Sequence, residues 1–465
     1  MPQVAIVYDD SRKPGRDIAG ITGNNSFGET IYKRQTLRER VASAFLNMDE
    51  VSGFYQAGSR EVTRLKNTHV ILYYSDFGIA DLQGLETIVY KAGYAHENYK
   101  ITCRDRIACV IYKDENSYFS SSPDDADKFT EIKSDAFTDL SDVRNFRSFI
   151  TGGFDARFFN SLTGDGYTVI KSSEKKSKIK AEYTFYSLLP DDMKQWFARP
   201  FDYREDEGAA SYRMQRYFMT DLAIRYVHGS ISVAEFSEIL KHLFAFLSHR
   251  KSIEVSAMEY ETEAKRLYVT KVYERIKQLK EMPGYDKVAA AIKDLTPYED
   301  IDAIVKRYAG LYESMRQRYK FDHVKTVSHG DLCFSNILYS NADSLVVLID
   351  PKGAISEDDL YMDNYYDIAK LSHSICGHYD YFNSDLYEIC MDENMQAKVT
   401  VDADNRQFVE IFRENLQAAG IDFCLIRLYE TSLFLSMLPF HMDRPKKVFG
   451  FVMNALAIMD SLEKV

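Results

Sequence analysis

The sequence predicts an α/β domain at the N-terminus, followed by a larger α+β part whose C-terminal half is mostly helical. Three observations indicate this class. Short apolar runs alternate with helical stretches at first, closely spaced strand-like runs with glycine turns follow, and amphipathic helical patterns dominate thereafter. The pattern changes divide the chain into segments 1–145, 146–225 and 226–465.

Composition and charge narrow the class of protein. Of the 465 residues, 45% are hydrophobic and 28% are charged, as in ordinary globular proteins, and the formal net charge is -12. A net negative charge gives no electrostatic reason to expect a nucleic-acid or anionic-membrane partner. There is no signal-peptide pattern and no apolar run of roughly 18 to 20 residues. We expect a soluble, cytoplasmic protein without a membrane span; its oligomeric state stays open.

The six cysteines form no Cys-x-x-Cys pair and have no zinc-finger spacing to histidine. Because free cysteine is among the most buried residue types, we expect reduced core thiols.

Within segment 1–145, apolar runs predict buried strands and periodic stretches predict helices. Residues 116–127, which are rich in serine and aspartate, indicate an exposed loop, and the Asn/Gly-rich stretch 20–28 favours a surface loop over a phosphate-binding one. The predicted strands are 4–8, 69–74 and 107–112, and the predicted helices are 36–46 and 81–95.

Three strands and a helix are predicted in the next segment. Gly152-Gly153 and the turn 163–166 separate strand-like runs at hairpin spacing, so three consecutive antiparallel strands are expected. The predicted strands are 147–151, 156–162 and 167–172, followed by a helix over 179–189 that ends at Pro190. Residues 231–320 and 365–465 are predicted to be helical, with strongly apolar helices at 425–438 and 448–462.

The most informative stretch is His329-Gly-Asp331, followed by Asn336 and then by a short apolar strand that ends at Asp350. These residue types fit phosphoryl transfer, in which an enzyme orients a hydroxyl and neutralises phosphate charge with metal ions. Asp331 can accept the proton of an attacking hydroxyl. Asn336 and Asp350 offer oxygen ligands to Mg²⁺, and a hairpin through 341–344 would place the two side by side.

This stretch resembles the aminoglycoside phosphotransferase and choline kinase group, small-molecule kinases with the bilobal protein-kinase-like fold. The resemblance implies that Asp331 is the catalytic base, that Asn336 and Asp350 bind metal, and that His329 supports the loop. The segment 365–370 is similar to the family's Tyr-Asp-Leu-Ala helix start, which implies that Asp367 steadies the catalytic loop. ATP and Mg²⁺ are the implied cofactors.

The resemblance also implies an N-terminal lobe in 146–225. Lys171 fits the strand lysine that binds nucleotide phosphates, and Glu182 fits its helix partner. Gly152 and Gly153 fit the turn that covers the phosphates, although no Gly-x-Gly-x-x-Gly is present. Residues 212–218 fit the hinge whose backbone contacts adenine.

The acceptor is not identified by the sequence. Choline, ethanolamine, an aminoglycoside and a polysaccharide sugar all stay open. The residues His378, Tyr379, Asp380 and Tyr381 follow the helix that Asp367 would begin, and they could hold a cation or a sugar. The alternative is a polar turn whose tyrosines close the core.

Segment 1–145 faintly resembles sugar-nucleotide nucleotidyltransferases in its strand-Asp-helix pattern at 69–76 and 81–95. The glycine-rich start of that family is missing, which favours a degenerate, non-catalytic domain. The leading hypothesis is therefore an ATP-dependent phosphotransferase acting on a hydroxyl of a small molecule. The alternatives are a non-catalytic kinase-fold binding protein and a nucleotidyltransferase with an auxiliary kinase-like part.

Overall fold

The computed structural model describes residues 3–151, 161–164, 167–393 and 395–464. The chain forms two compact units, one of Met1–Asp155 with His228–Ser230, the other of Ala156–Val227 with Ile231–Val465. Gly152, Gly153 and most of the predicted strand 156–162 lie outside the described residues.

The first unit contains a six-stranded mixed sheet with the strand order β4-β1-β5-β8-β7-β9. Two central strands each contain five consecutive buried apolar residues, Val4–Tyr8 and Val70–Tyr74, as expected for a sheet covered on both faces. The predicted strands 4–8, 69–74 and 107–112 are confirmed as β1, β5 and β8. The elements of this unit are β1 Val4–Asp9, α1 Arg16–Thr22, β2 Ile31–Tyr32, β3 Gln35–Thr36, α2 Leu37–Leu46, β4 Val51–Gln56, β5 His69–Tyr74, β6 Phe77–Ile79, α3 Leu82–Ala92, β7 Tyr99–Cys103, β8 Arg106–Tyr112, α4 Glu115–Ser120, β9 Thr130–Lys133, β10 Phe137–Asp139 and α5 Val143–Thr151.

Side-chain caps define where the two predicted helices begin. Thr36 and Glu39 form a capping box at the start of α2, and the Asp81 carboxylate accepts two backbone N–H groups at the start of α3. Both helices are confirmed, although α3 ends at Ala92 rather than residue 95.

Two sequence predictions near the end of this unit are wrong. Residues 116–127 are not one loop, because α4 and a 3-10 helix, Pro123–Lys128, occupy most of the stretch. Residues 147–151 belong to helix α5 rather than to a strand. Phe146 and Ile150 are the buried residues of α5, and their spacing of four places both on one helical face.

The second unit begins with a four-stranded antiparallel sheet of order β11-β12-β14-β13, packed against helix α6. Its strands are β11 Ser161–Gly164, β12 Thr168–Ser173, β13 Pro200–Glu205 and β14 Ala210–Gln215, and α6 is Lys176–Leu188. The predicted strand 167–172 and the helix before Pro190 are confirmed. The sheet and helix together carry Lys171 and Glu182.

The rest of the second unit is mostly helical, as predicted, with three small sheets. Sheet β15-β18-β19 contains the predicted hairpin, in which Ile337 pairs with Leu348, and sheet β16-β17-β20 leads into the loop that carries Asp331. The hairpin β21-β22 was not predicted. The elements are β15 Thr220–Asp221, α7 Leu222–Val227, α8 Val233–His249, β16 Ser252–Glu254, α9 Ala257–Lys265, the π-helix Arg266–Thr270, α10 Lys271–Lys280, α11 Tyr285–Leu295, α12 Ile301–Arg316, β17 Val324–Val327, β18 Ile337–Ser340, β19 Leu345–Leu348, β20 Tyr361–Asp363, α13 Tyr366–Ile375, α14 Tyr379–Asn383, β21 Glu388–Met391, β22 Ala397–Thr400, α15 Arg406–Ala418, α16 Phe423–Met437 and α17 Pro445–Leu462.

The apolar C-terminal helices form the centre of this unit. Residues of α16 and α17 pack with those of α10 to α12 in one continuous hydrophobic core. Among the described residues, one stretch, Phe423–His441, is apolar and long enough to cross a membrane, but 78% of its most apolar window is buried inside the protein. Its apolar composition is therefore accounted for by packing.

Candidate active site

The loop after β17 is held by one buried carboxylate. Asp367, near the start of α13, is fully buried and accepts the backbone N–H of His329 at 2.9 Å and that of Gly330 at 2.8 Å. Gly330 has φ +78°, and a Cβ there would approach the Lys352 Cβ to 2.6 Å. Glycine is thus required at this turn both by conformation and by space.

His329 supports the loop from inside, in the position that the resemblance implied. Its Nδ1 accepts the N–H of Asp331 at 3.2 Å, which leaves Nε2–H to donate to the Ile349 carbonyl at 2.8 Å. Burial lowers the pKa of His329, so the ring is neutral and keeps this tautomer. The ring also stacks on Phe197 at 5.9 Å. His329 therefore connects the Asp331 turn to the strand end that precedes Asp350.

Arg250, which sequence reasoning missed, completes the support. Its guanidinium donates to the Asp367 carboxylate at 3.2 Å and to the Asn364 carbonyl at 2.9 Å. Both charged side chains are buried. A buried carboxylate is tolerated when a cation and hydrogen-bond donors saturate it, as they do here.

Asp331 lies beside an ammonium that the sequence did not reveal. Lys370 Nζ is 2.8 Å from the Asp331 Oδ1. Burial opposes the charge of Lys370, but the neighbouring Asp331 outweighs it, so the lysine pKa is raised. Asp367 and Lys370 are three residues apart on α13, so a single helical turn holds both the loop backbone and the carboxylate of Asp331.

Asn336 directly precedes strand β18 of the β18-β19 hairpin, and Asp350 comes two residues after the end of β19. The Ile349 N–H donates to the Asn336 carbonyl at 3.0 Å, so Ile349 lies opposite Asn336. Asp350 is the next residue along the chain. The Asn336 side-chain NH₂ donates to the Asp331 carbonyl at 2.8 Å, which leaves its amide oxygen available. The predicted juxtaposition of the two candidate metal ligands is thus present in the structure.

This donor set suits Mg²⁺ held jointly with phosphate. An amide oxygen and a half-exposed carboxylate are hard oxygen donors, and Mg²⁺ usually takes one or two such protein ligands together with phosphate oxygens. In the described ranges, no three His, Cys, Asp or Glu side chains gather closely enough to hold a metal by themselves.

Lys171 joins the sheet, helix α6 and the hairpin in one contact. Its Nζ lies 2.7 Å from the Glu182 Oε2 and 2.8 Å from the Asp350 Oδ1. Burial opposes the charge, but the two carboxylates outweigh it and raise the lysine pKa. The Tyr212 hydroxyl donates to Glu182 at 3.2 Å. The structure thus brings Lys171 and Glu182 together with Asp350, which lies 179 residues after Lys171 in the sequence.

The chain after Asp350 packs directly on α6. The Ala354 N–H donates to the Ala181 carbonyl at 3.0 Å. Gly353 has φ +91°, and a Cβ there would come within 2.8 Å of the backbone of Ala181 and Glu182. The position of Glu182 is therefore set by the same segment that carries Asp350.

The hinge prediction is only partly right. Residues 212–215 belong to strand β14, which pairs with β12 and β13. Only 216–219 connect this sheet to β15. Arg216 still donates its N–H to the Tyr167 carbonyl at 2.9 Å, which closes the strand pair at that end.

The structure gives little support for an acceptor surface at the start of α14. Tyr379, Asp380 and Tyr381 are all buried, and the Tyr381 hydroxyl donates to the Tyr226 carbonyl at 3.1 Å. The two tyrosines belong to hydrophobic core clusters, as the alternative interpretation expected, and His378 precedes them in the left-handed conformation. A role for these four residues in acceptor binding stays a prediction.

All six cysteines are free, and Cys333 lies in the site itself. Burial raises the pKa of Cys333 to about 12, and the Asp331 charge adds to the shift. The thiol therefore stays protonated and unreactive at neutral pH. Cys103 and Cys109 are buried as expected, whereas Cys390 is exposed on β21 and departs from the prediction of a core thiol.

In the first unit, Asp76 follows β5, where the nucleotidyltransferase-like pattern placed an aspartate. Its buried carboxylate pairs with Arg12 at 3.0 Å and with Arg106, which also contacts Asp139. Two guanidiniums neutralise this carboxylate, which leaves it poorly suited to bind a metal ion. The resemblance of this unit to nucleotidyltransferases stays a prediction.

Comparisons with known proteins give likenesses of structure alone. No protein-family model matches the sequence, and no curated protein does. The chain is similar to the aminoglycoside phosphotransferase APH(4)-Ia in complex with ADP and hygromycin B, at 12% identity over 68% of this chain and 98% of that one, with a TM-score of 0.40. It is similar to APH(3'')-Id from Streptomyces rimosus in complex with ADP and streptomycin, at 15% identity over 60% and 92%, with a TM-score of 0.37. It is also similar to a Plasmodium vivax ethanolamine kinase, at 12% identity over 65% and 82%, with a TM-score of 0.37.

The buried Asp380 generates a prediction about stability. Burial raises its pKa to about 7, with its Ser374 hydrogen bond opposing the shift, and its Oδ2 lacks a partner among the described residues. A carboxyl whose pKa is higher in the folded protein contributes most stability below its unfolded pKa of about 3.9, and this stability is lost as pH rises through about 7. We expect the Tm of Asp380→Asn to fall less than that of the wild type between about pH 5 and about pH 8.

Thermal unfolding at the two pH values measures this difference. Asp221 and Glu430 also have pKa values raised to about 7 by burial, so part of the wild-type pH dependence should persist in the variant. An identical fall in Tm for the two proteins would mean that Asp380 is ionised in the folded state.

Proposed function

We propose that this protein is an ATP-dependent phosphotransferase that transfers the γ-phosphoryl group to a hydroxyl of a small molecule. One observation carries the proposal. Lys171 contacts both Glu182 and Asp350. The Asn336 side chain donates a hydrogen bond to the Asp331 carbonyl, which connects the hairpin before Asp350 to the loop of Asp331. A cation for phosphates, oxygen ligands for metal and a carboxylate base are thus linked by direct contacts.

Each residue has a distinct task in this reaction. The Lys171 ammonium would bind the α- and β-phosphate oxygens, with Glu182 fixing its position. Asp331 would accept the proton of the acceptor hydroxyl as the hydroxyl oxygen attacks the γ-phosphorus. The bond from that phosphorus to the β,γ-bridging oxygen breaks and its electron pair leaves with ADP, so the products are a phosphate ester, ADP and a proton on Asp331.

Mg²⁺ would be held by the Asn336 amide oxygen and the Asp350 carboxylate. When bound, it neutralises phosphate charge and favours departure of ADP. The contact between Lys171 and Asp350 supports this role, because it keeps the carboxylate next to the lysine that binds the same phosphates.

The alternatives are less well supported by the contacts. A non-catalytic binding protein would not need a carboxylate fixed by Lys370, Asp367 and the His329 ring at the place of the base. A nucleotidyltransferase acting through the first unit would need Asp76 for a metal, whereas two arginines pair with it.

The role of Asp331 is tested by Asp331→Asn. The amide keeps the shape but cannot accept the hydroxyl proton, and loss of a general base typically costs about 10² to 10⁴ in rate. We expect ADP release in the presence of an acceptor to fall by that factor while the affinity for AMP-PNP with Mg²⁺ changes little. Asp343→Asn, in the hairpin turn, is a matched control that should retain full activity. Wild-type turnover by Asp331→Asn would exclude the residue as the base.

The role of Lys171 is tested by Lys171→Met, which keeps much of the side-chain volume but removes the charge. Because the ammonium is proposed to bind nucleotide phosphates, the KM for ATP should rise more than the KM for the acceptor. Lys180→Met is the control, since Lys180 is an exposed lysine of the same segment. Equal effects of Lys171→Met on both KM values, or an equal effect of Lys180→Met, would count against phosphate binding by Lys171.

A further inference from the structure

Four cationic side chains gather around Tyr366, next to the proposed catalytic base. Lys271 Nζ donates to the Tyr366 hydroxyl at 3.1 Å, and Lys370, one helical turn after Tyr366, contacts Asp331 at 2.8 Å. Arg266 and Lys352 are close enough for their charges to interact with Tyr366. The π-helix, α10, α13 and the segment after Asp350 each contribute one of these cations.

Lys352 is placed beside the loop by backbone contacts. Its N–H donates to the His329 carbonyl at 2.8 Å, and its Cβ lies against Gly330, the residue before Asp331. Its side chain is accessible to solvent, and the hydrogen bond of its Nζ within the described part of the chain is to the Met362 sulfur, at 3.7 Å. This ammonium therefore lies at the edge of the loop and is available to bind a ligand.

Carboxylates balance only two of the four cations. Arg266 pairs with Glu263 at 2.6 Å, and Lys370 pairs with Asp331. Lys271 and Lys352 have no carboxylate within ion-pair distance in the part of the chain that the structure describes. The carboxylates whose charges act on this group, Glu263 and Asp359 on Lys352 and Glu274 on Arg266, do not come within ion-pair distance of either lysine in the described residues. Two ammoniums near the base thus have no carboxylate in direct contact.

The pKa of Tyr366 is shifted in the direction that this excess of positive charge would cause. Burial alone would raise the pKa of its phenol, but Lys271 and Lys370 outweigh burial and lower the pKa. This shift agrees with the direction that the nearby ammoniums dictate.

We propose that the acceptor of the phosphoryl group is itself anionic, with a phosphate or carboxylate group bound by Lys271 and Lys352. This inference rests on the proposed function, because it takes the acceptor hydroxyl to lie at Asp331. An anionic group would provide the two ammoniums with the direct ion-pair partner that they lack among the described residues. A cationic acceptor such as choline or an aminoglycoside would instead need carboxylates here, and it would be repelled by the two ammoniums that no carboxylate contacts.

The test uses simple ions as probes, because the acceptor is unidentified. Calorimetry first measures the affinity of the whole protein for AMP-PNP with Mg²⁺, and inorganic phosphate, malonate or choline is then titrated into the saturated complex. With the nucleotide site filled, we expect phosphate or malonate to bind and choline not to bind. The tighter of the two anions distinguishes a phosphate group from a carboxylate group on the acceptor.

The double variant Lys271→Gln/Lys352→Gln should raise the Kd for the anion at least tenfold, since it removes two charge-assisted hydrogen bonds to the anion. Its AMP-PNP affinity should not change. The control is Lys265→Gln/Lys277→Gln, which removes two charges from exposed positions of α9 and α10.

Each alternative outcome has a definite meaning. Failure of phosphate and malonate to bind, binding of choline instead, or equal anion affinities in the double variant and the control would overturn the anionic acceptor. Failure of the wild type to bind AMP-PNP with Mg²⁺ would instead contradict the proposed function, so the two failures are distinguishable.

Discussion

The site depends on the buried carboxylate of Asp367. An ionised group with no exposed surface is stable only if donors saturate it, and here two backbone N–H groups and the Arg250 guanidinium do so. Satisfying this charge forces the chain through the tight turn at Gly330. This turn fixes the position of Asp331. The hydrogen bond from the Asn336 side chain to the Asp331 carbonyl then fixes the hairpin before Asp350. From Asp350 the constraint continues to Lys171 and Glu182 on the other side of the site.

Local sequence pattern was sufficient to predict much of this arrangement. The strand His69–Tyr74 and the hairpin after Asn336 follow from residues close together in the chain, whereas the pairing of Lys171 with Glu182 is expected only from the family resemblance. Arg250 and Lys370 could not be predicted in this way. Arg250 meets Asp367 across 117 residues, and Lys370 meets Asp331 only because α13 returns to the loop. Nothing in the sequence around a surface-type residue signals such a partner.

The errors have physical causes as well. The run 147–151 contains aromatic and β-branched residues that suit a strand, but Phe146 and Ile150 also fit one face of a helix, and burial of that face decides the structure. Residues 212–215 lie between the two predicted lobes, which favours a hinge, whereas their pairing with β12 extends the sheet. In the first unit, sequence pattern located Asp76 at the end of a strand but could not show that Arg12 and Arg106 neutralise it.

The central claim is that Lys171, Asn336 and Asp350 form one site for a nucleotide bound with Mg²⁺. The most direct measurement is the affinity for AMP-PNP as Mg²⁺ concentration is increased, in the wild type and in Asp350→Asn. If Asp350 is the main carboxylate ligand, Mg²⁺ should strengthen binding markedly in the wild type and only weakly in the variant. An equal effect of Mg²⁺ on both proteins, or nucleotide binding indifferent to Mg²⁺ in the wild type, would contradict the claim.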